Sequence, residues 1–459
     1  MTTTVVILAA GLGTRMRSKR AKVLHRAGGM ALVEHVVLAA RSVAEADSIV
    51  AVTGHQAGAV EELLAPRGLR FARQKKQKGT GDALACAQPA APPSDLVMVL
   101  YGDTPLLTAG TLVRLRDAHA ASDAAGTLIT TTLENPTGYG RVIADESGSV
   151  QAIVEEKACT AEQRGIQVIN SGIYCFRADL LWKHLAEIQP TAPAGEYYLT
   201  DMAAILSAHG HRVQAWHLAD SNELLGINTR VELADADRLL RRRKTDQLML
   251  AGVTIESPET VAIDAAVTIG QDTIIEPFAR ILGETRIGED CRIGAGAVIE
   301  SSLLADGAIV KPYSVISDSK IGEKAQVGPF ARLRMNAEIG IDARVGNFVE
   351  VKKSHLGAGT KAQHLAYLGD ADIGSDVNVG AGTITCNFDG KQKHETRIGA
   401  GAFIGSNSTL VAPVEIGGDS YVGAASVITE NVPKQALALG RARQVVKTDW
   451  LQKRKQKAE

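Results

Sequence analysis

The chain has no Cys-x-x-Cys pair. Its five cysteines (Cys86, Cys159, Cys175, Cys291 and Cys386) are scattered through 459 residues and odd in number. That spacing argues against both a disulfide framework and a zinc site, and it fits a reducing compartment. An excess of charge is missing too. Lys and Arg number 50 against 51 Asp and Glu, a net charge of −1. This is too balanced for a nucleic-acid surface or an acidic disordered chain. No run of about 18 apolar residues occurs, so no membrane helix is expected. The opening MTTTVVILAAGLGTRM has no basic segment ahead of its apolar run, which stops at Gly11. A secretory signal is therefore not expected, and the cytoplasm is the expected compartment. Small molecules and copies of the chain itself remain as partners, with no nucleic acid and no membrane.

In the first half, short apolar runs alternate with longer amphipathic stretches. Val5–Ala10, Ser48–Thr53, Leu96–Leu100 and Thr127–Thr132 predict buried strands. Met30–Ala46, Gly79–Ala90 and Gly110–Ala121 predict helices. Such alternation predicts a mostly parallel α/β sheet, Rossmann-like, that binds ligands at the carboxyl ends of its strands. A charged stretch, Thr229 to Leu250, predicts a solvated linking helix, with Arg241–Lys244 on its exposed face.

From Val261 the rhythm changes. Aliphatic residues recur every six positions: Ile263, Ile269, Ile275, Ile281, Ile287, Ile293 and Ile299. A second series runs Leu303, Ile309, Val315, Ile321, Val327, Leu333, Ile339, Val345 and Val351, and a third runs Ile398 to Ile428. A period of six fits neither an α-helix nor a half-buried strand and is the hexapeptide signature of a parallel β-helix. Each of these side chains is expected to point inward. The ladder breaks between Thr385 and Arg397, where CNFDGKQKHET predicts a loop ejected from the coil. The expected domains are thus 1–229, a linking helix 230–250, and a β-helix 251–459 whose basic tail after Trp450 (Lys453, Arg454, Lys455, Lys457) is expected to be disordered.

Two places carry chemistry in the first half. After the first strand, LAAGLGTRM (Leu8–Met16) frees the backbone at Gly11 and Gly13 to approach a phosphate. A dinucleotide fingerprint would need Gly where Met16 stands, and no Gly-Lys-Ser/Thr of a Walker A loop is present. Arg15 and Lys22 follow as two fixed cations suited to a transferring phosphoryl group. The second place is Tyr101-Gly102-Asp103, which closes the run Leu96–Leu100. An Asp at that strand end can be a Mg²⁺ ligand or a turn residue.

LAAGLGTRM with Lys22, YGD at Tyr101, GYGR at Gly138–Arg141, VEEK at Val154–Lys157, NSGIY at Asn170–Tyr174, GEYYLTD at Gly195–Asp201 and GIN at Gly226–Asn228 resemble the sugar nucleotidyltransferases, in order. With the hexapeptide half, nearly the whole chain resembles the bifunctional N-acetylglucosamine-1-phosphate uridyltransferase / glucosamine-1-phosphate N-acetyltransferase family. The resemblance implies a left-handed β-helix, a homotrimer, and a product, UDP-N-acetylglucosamine, that feeds peptidoglycan and lipopolysaccharide synthesis. It implies that Leu8, Ala9, Ala10, Gly11, Gln74, Gly79 and Thr80 hold the uridine of UTP. Tyr101 and Gly102 accompany them beside the substrate. Gly140, Glu155 and Asn170 would hold N-acetylglucosamine-1-phosphate, Asp103 and Asn228 the Mg²⁺, and Arg15 and Lys22 the phosphates.

For the second half the resemblance implies that Arg334, Lys352, Tyr367 and Asn378 contact glucosamine-1-phosphate. Ala381, Asn387, Phe388, Ser406, Ala424 and Arg441 would contact acetyl-coenzyme A. His364, in KAQHLAYLGDADIG, would be the base, because the substrate amine must lose a proton before it attacks a thioester and neutral imidazole takes one near pH 7. Phe388 stands where the family usually has Tyr, which removes a hydroxyl. Met335 stands where Pro is common, which is expected to loosen the turn after Arg334. His209 and His211, in AHGHR with no carboxylate nearby in sequence, are expected to be solvated. Two other readings fit less well. A pyrophosphorylase with a merely oligomerising β-helix would not need His364, and a non-catalytic subunit would not need Arg15, Lys22 and Asp103 together.

Overall fold

The computed structural model describes residues 1–191 and 195–456. They form two compact units, Met1–Leu240 and Arg241–Glu459. The division falls inside one helix, Arg230–Leu250.

The first unit is built on a nine-stranded sheet. Its strands are β1 (Thr3–Ala9), β2 (Ile49–Thr53), β3 (Arg70–Arg73), β4 (Leu96–Tyr101), β5 (Gly126–Thr132), β6 (Arg141–Ala144), β7 (Val150–Val154), β8 (Val168–Arg177) and β9 (Val213–His217). The order is β9-β5-β8-β4-β1-β2-β3, with the β6–β7 pair attached to β8. Only β8 runs against its neighbours on that path. Helices α1 (Leu32–Ala40), α2 (Thr80–Ala87), α3 (Ala109–Ala120), α4 (Ala178–His184) and α5 (Asp201–Ala208) accompany the sheet.

Every residue of β1 is buried, because both sheet faces are covered and successive side chains alternate between them. Val5, Ile7 and Ala9 join one core with Val33, Val36 and Val37 of α1. Val6 and Leu8 join the other with Ala83, Leu84 and Ala87 of α2. Each buried Val, Ile or Leu contributes about 1.5–3 kcal/mol. The chain leaves β1 for β2 on one side and reaches β4 on the other, so the carboxyl ends of β1 and β4 flank the switch point where ligands bind in such sheets.

The second unit is a three-sided parallel β-helix. Its short strands stack into sheets of 11, 10 and 9 strands. Inward residues lie on one another coil after coil, as in Ile275, Ile293, Val310, Val327 and Val345. The expected register is wrong for part of the second series. Leu303 is 45% exposed and Val315 also faces outward, whereas Leu304 (4%), Val310 and Ile316 are buried. Ile309 is only partly covered. The turn after Ile299 spans five residues rather than six, so Ile316 is the residue that stacks on Ile299. Another five-residue step restores the expected phase at Ile321, which stacks on Leu304.

Three other expectations change. Arg241 is not simply solvated, since its Nη1 donates to Asp264 Oδ1 at 2.8 Å. Met335 does not loosen a turn: its φ is +55°, a conformation closed to proline, whose φ is held near −65°. Trp450–Gln456 is helical rather than disordered, as suits its Lys, Arg, Gln and Leu, and Arg454 lies over the Trp450 ring. Lys457 lies outside the described residues.

Candidate functional sites

At the switch point of the first unit, a cleft of about 380 Å³ is lined by Leu8, Ala9, Ala10, Gly11, Lys22, Gln74, Gly79, Thr80, Tyr101, Asp103 and Asn228. Those eleven residues come from six separate segments, and the fold brings them together. Two larger hollows contain none of the motif residues. One lies over Leu303 and Lys320 on a coil face, the other near His119 at the amino end of β4.

Local geometry explains the lining. Gly79 has φ +104°, and a Cβ there would come within 2.4 Å of the Tyr197 carbonyl. Only glycine lets that backbone pack so closely. Gly81 N–H donates to the Tyr197 carbonyl at 2.8 Å, and Leu199 N–H donates to Thr80 Oγ1 at 2.9 Å. The GEYYLTD segment is thereby pinned along α2, which brings Glu196 and Tyr198 into the cleft. Both lay inside a quoted motif without an assigned role. The Tyr198 hydroxyl donates to Glu196 at 2.5 Å, which pushes the phenol up to about 12.

Asp103 and Asn228 meet at one point although 125 positions separate them. Ile227 N–H donates to the Asp103 carbonyl at 2.9 Å. Lys22 Nζ bonds to Asp103 Oδ2 and, at 3.1 Å, to Asn228 Oδ1, which also accepts from Arg15 Nη2 at 2.8 Å. Two oxygens from different segments thus converge around a cation. One is anionic and one is an amide, a donor set that suits Mg²⁺.

Gly140, Glu155 and Asn170 are not among the residues that line the cleft; of the three, Glu155 acts through its charge on the buried phenol of Tyr101, which does line it. Burial raises the Glu155 carboxyl pKa, and the Thr200 hydroxyl bonded to it at 3.2 Å opposes that shift. Asn170 N–H donates to the Gly140 carbonyl at 2.9 Å. Buried Arg141 ties Glu156 to the Tyr139 carbonyl, holding the GYGR and VEEK segments together.

In the second unit, Arg334, Lys352 and Gly369 occupy equivalent positions on successive coils. Tyr367 stands on the same face. Sequence reasoning missed the residue at the centre. Asp370 is 8% exposed, lies 3.6 Å from the ammonium groups of Lys352 and Lys353, and accepts from Asn387 Nδ2 at 2.5 Å. Lys393, from the ejected loop, sits beside Lys352. Crowding by the Lys352 ammonium lowers the pKa of Lys393, while the Asp370 carboxylate favours the charged form of Lys352. The loop is closed by Asp389, held down to about 2 by the Gln392 N–H and the His394 ring. Phe388 is exposed within it.

His364 ends its strand at the corner leading to Tyr367. Its Nδ1 faces Asn347 Oδ1 at 3.2 Å, one coil below. Ala381, Ser406 and Ala424 follow up the same edge, joined by Asn407 N–H to the Ala381 carbonyl at 2.7 Å and Ala425 N–H to the Ser406 carbonyl at 2.8 Å. Asn378 shares the sheet of His364. Arg441 is exposed just beyond Leu437–Ala438, and among the described residues no hydrogen bond or ion pair joins it to the others. His209 is exposed as expected, but it is also paired: its Nε2 lies 2.8 Å from the carboxylate of Glu187, which is close in space but 22 positions away in sequence.

These geometries agree with comparisons to known proteins. Residues 5–172 match the MobA-like NTP transferase domain, 257–355 the GMPPB C-terminal domain, and 395–430 the hexapeptide repeat of succinyl-transferase. The bifunctional protein GlmU of Solibacter usitatus is 53% identical over 99% of this chain and 98% of its own length. Its counterparts in Koribacter versatilis and Heliobacterium modesticaldum are 49% and 47% identical, each over 98% of this chain and 97% of theirs. The cleft, the coils and this full-length likeness together show that the chain belongs to the bifunctional GlmU family.

Proposed function

We propose that the two units catalyse consecutive steps toward UDP-N-acetylglucosamine. The coils transfer acetyl from acetyl-coenzyme A to the amine of glucosamine-1-phosphate. The cleft transfers uridylyl from UTP to N-acetylglucosamine-1-phosphate, and pyrophosphate leaves. Family membership makes the chain a bifunctional transferase. The observation that carries the assignment of residues is the convergence of Lys22, Gln74, Thr80, Asp103 and Asn228 on one cleft at the switch point.

In the cleft, Gln74, Gly79 and Thr80 hold the uridine, and Gly140, Glu155 and Asn170 orient the sugar. Its phosphate oxygen then attacks the α-phosphorus in line. Arg15 and Lys22 turn from Asn228 and Asp103 to the phosphate oxygens and offset the charge that develops there. Asp103 and Asn228 would hold Mg²⁺, which would supply positive charge against the phosphates and so lower the cost of that developing charge.

On the coils, Arg334 and Lys352 clamp the sugar phosphate. His364 Nδ1–H donates to Asn347, which leaves Nε2 free to take the amine proton. The amine nitrogen bonds to the thioester carbonyl carbon, and the coenzyme leaves as its thiolate. The acetyl-coenzyme A arm follows the edge marked by Ala381, Ser406 and Ala424; Asn387 and Phe388 would reach it from the ejected loop, and the role of Arg441 rests on the family resemblance alone. Tyr313, Phe330 and Phe348 form an exposed stacked ridge with ring centroids 5.4 Å apart, and exposed Leu365 follows them on the next coil, next to His364. Such an apolar ridge favours burial against another copy, which supports a homotrimer with acetyl-transfer sites at subunit boundaries. Among the described residues no helix is long and apolar enough to cross a membrane, and the substrates support the cytoplasm as compartment. The test measures pyrophosphate release from UTP and N-acetylglucosamine-1-phosphate, with and without Mg²⁺, alongside thiol release from acetyl-coenzyme A. Both activities are expected, the first only with the metal. A chain competent in one reaction alone would overturn the assignment.

A further inference from the structure

We propose that His184, Glu187 and His209 form a binding site for a Zn²⁺-class divalent cation, separate from the nucleotide cleft and sharing none of its lining residues. His184 ends α4, and the short turn Leu185–Glu187 that follows sets Glu187 beside it. His209 caps α5. Gly210, with φ +76°, then reverses the chain: its N–H donates to the Ser207 carbonyl and that of His211 to the Leu206 carbonyl, both at 2.9 Å. This glycine-capped helix end folds His211 back toward the cluster. Its ring centroid lies 5.8 Å from that of His184.

The His184 side chain is 3% exposed, and its Nε2 has no partner among the described residues. The ring's one polar outlet, Nδ1, lies 2.6 Å from Glu187 Oε1. The other Glu187 oxygen lies 2.8 Å from His209 Nε2. The three ligand atoms all fall within 4.8 Å of one another. Metal–nitrogen and metal–oxygen bonds of about 2.0–2.2 Å place tetrahedral ligands roughly 3.3–3.5 Å apart. Reaching that spacing takes small movements of Glu187 and His209, whose side chains are 45% exposed and free to adjust.

Two imidazoles and a carboxylate, with a fourth position open to water or His211, form a zinc donor set. Hard Mg²⁺ prefers all-oxygen sites and would not compete. Binding through Nδ1 puts a proton on Nε2 of His184, where none of the described residues accepts it. The loss of that outer support weakens a metal site by about 10–100-fold, so the affinity should be micromolar rather than nanomolar. The bound ion would tie the ends of α4 and α5 together.

The test titrates the full chain, stripped of metal and then held in excess Mg²⁺, with Zn²⁺ in competition with a chromogenic chelator. One ion per chain is expected. Glu187→Gln and His209→Ala alter exposed side chains and should fold; each should weaken binding by about tenfold or more. Zn²⁺ should raise the unfolding temperature of the parent chain but not of Glu187→Gln, while uridylyl transfer with Mg²⁺ stays unchanged in both variants. Unaltered Zn²⁺ stoichiometry and affinity in the double variant would overturn the proposal. So would binding by the parent chain weaker than about 100 µM.

Discussion

Asp370→Asn probes the acetyl-transfer site most sharply, because it keeps the side chain's size and removes its charge. Asp370 faces Lys352, Lys353 and Asn387. Lys353 is largely solvated, so that pair contributes little. Lys352 is buried and has Lys393 as neighbour. Without the carboxylate, two ammonium groups share a site with no counter-ion, and the Lys352 clamp loses charge. A hydrogen bond to a charged group is worth about 1.5–3 kcal/mol, and the amide retains part of it. A loss of about 2 kcal/mol remains, or roughly 30-fold in affinity. Steady-state thiol release should show KM for glucosamine-1-phosphate raised about 30-fold, with kcat nearly unchanged because Asp370 does not touch His364. Pyrophosphate release should be untouched. If Asp370 merely repelled the substrate phosphate, the variant would bind it more tightly; that result would refute the reasoning.

Three further outcomes are expected. Asn347→Ala removes the acceptor of His364 Nδ1–H, so kcat for acetylation should fall about tenfold, a hydrogen bond's worth, at constant KM; an unchanged pH–rate profile would count against the tautomer assignment. Leu304→Ala should cost about 2–5 kcal/mol as a buried truncation and Leu303→Ala about 0.5 or less, read as the midpoint of thermal loss of acetyl transfer; equal effects would restore the six-residue register. For Glu155, burial raises the carboxyl pKa. The folded state therefore favours the proton, and the ionised form costs stability as pH rises through the folded pKa. Calorimetry should show Glu155→Gln unfolding at higher temperature than the parent near pH 7.5, with the gain shrinking toward the ordinary carboxyl range. KM for N-acetylglucosamine-1-phosphate should rise. A gain independent of pH would contradict that cause.

Much of the candidate cleft was legible because its lining sits in contiguous motifs at strand ends. Leu8–Gly11 and Tyr101–Asp103 follow buried apolar runs, and such positions face ligands in a parallel sheet. The β-helix showed through its period. The register slipped at Leu303 because the pairs Leu303-Leu304, Ile309-Val310 and Val315-Ile316 are aliphatic at both positions, so hydrophobicity alone cannot mark the five-residue turn. Asp370 and Glu187 were missed for another reason. Their partners arrive from 17 or 22 residues away, one coil up or across a helix pair, and no local pattern encodes that encounter. Met335 misled because its backbone conformation was invisible in the sequence.

The central claim is that two chemically independent sites share one chain. The most direct test assays Asp103→Asn and His364→Ala for both reactions in the same samples. Asp103→Asn should abolish pyrophosphate release and leave thiol release intact. His364→Ala should lower kcat for acetylation by about 10²–10⁴ and leave uridylyl transfer intact. Loss of both activities in either folded variant would contradict the account.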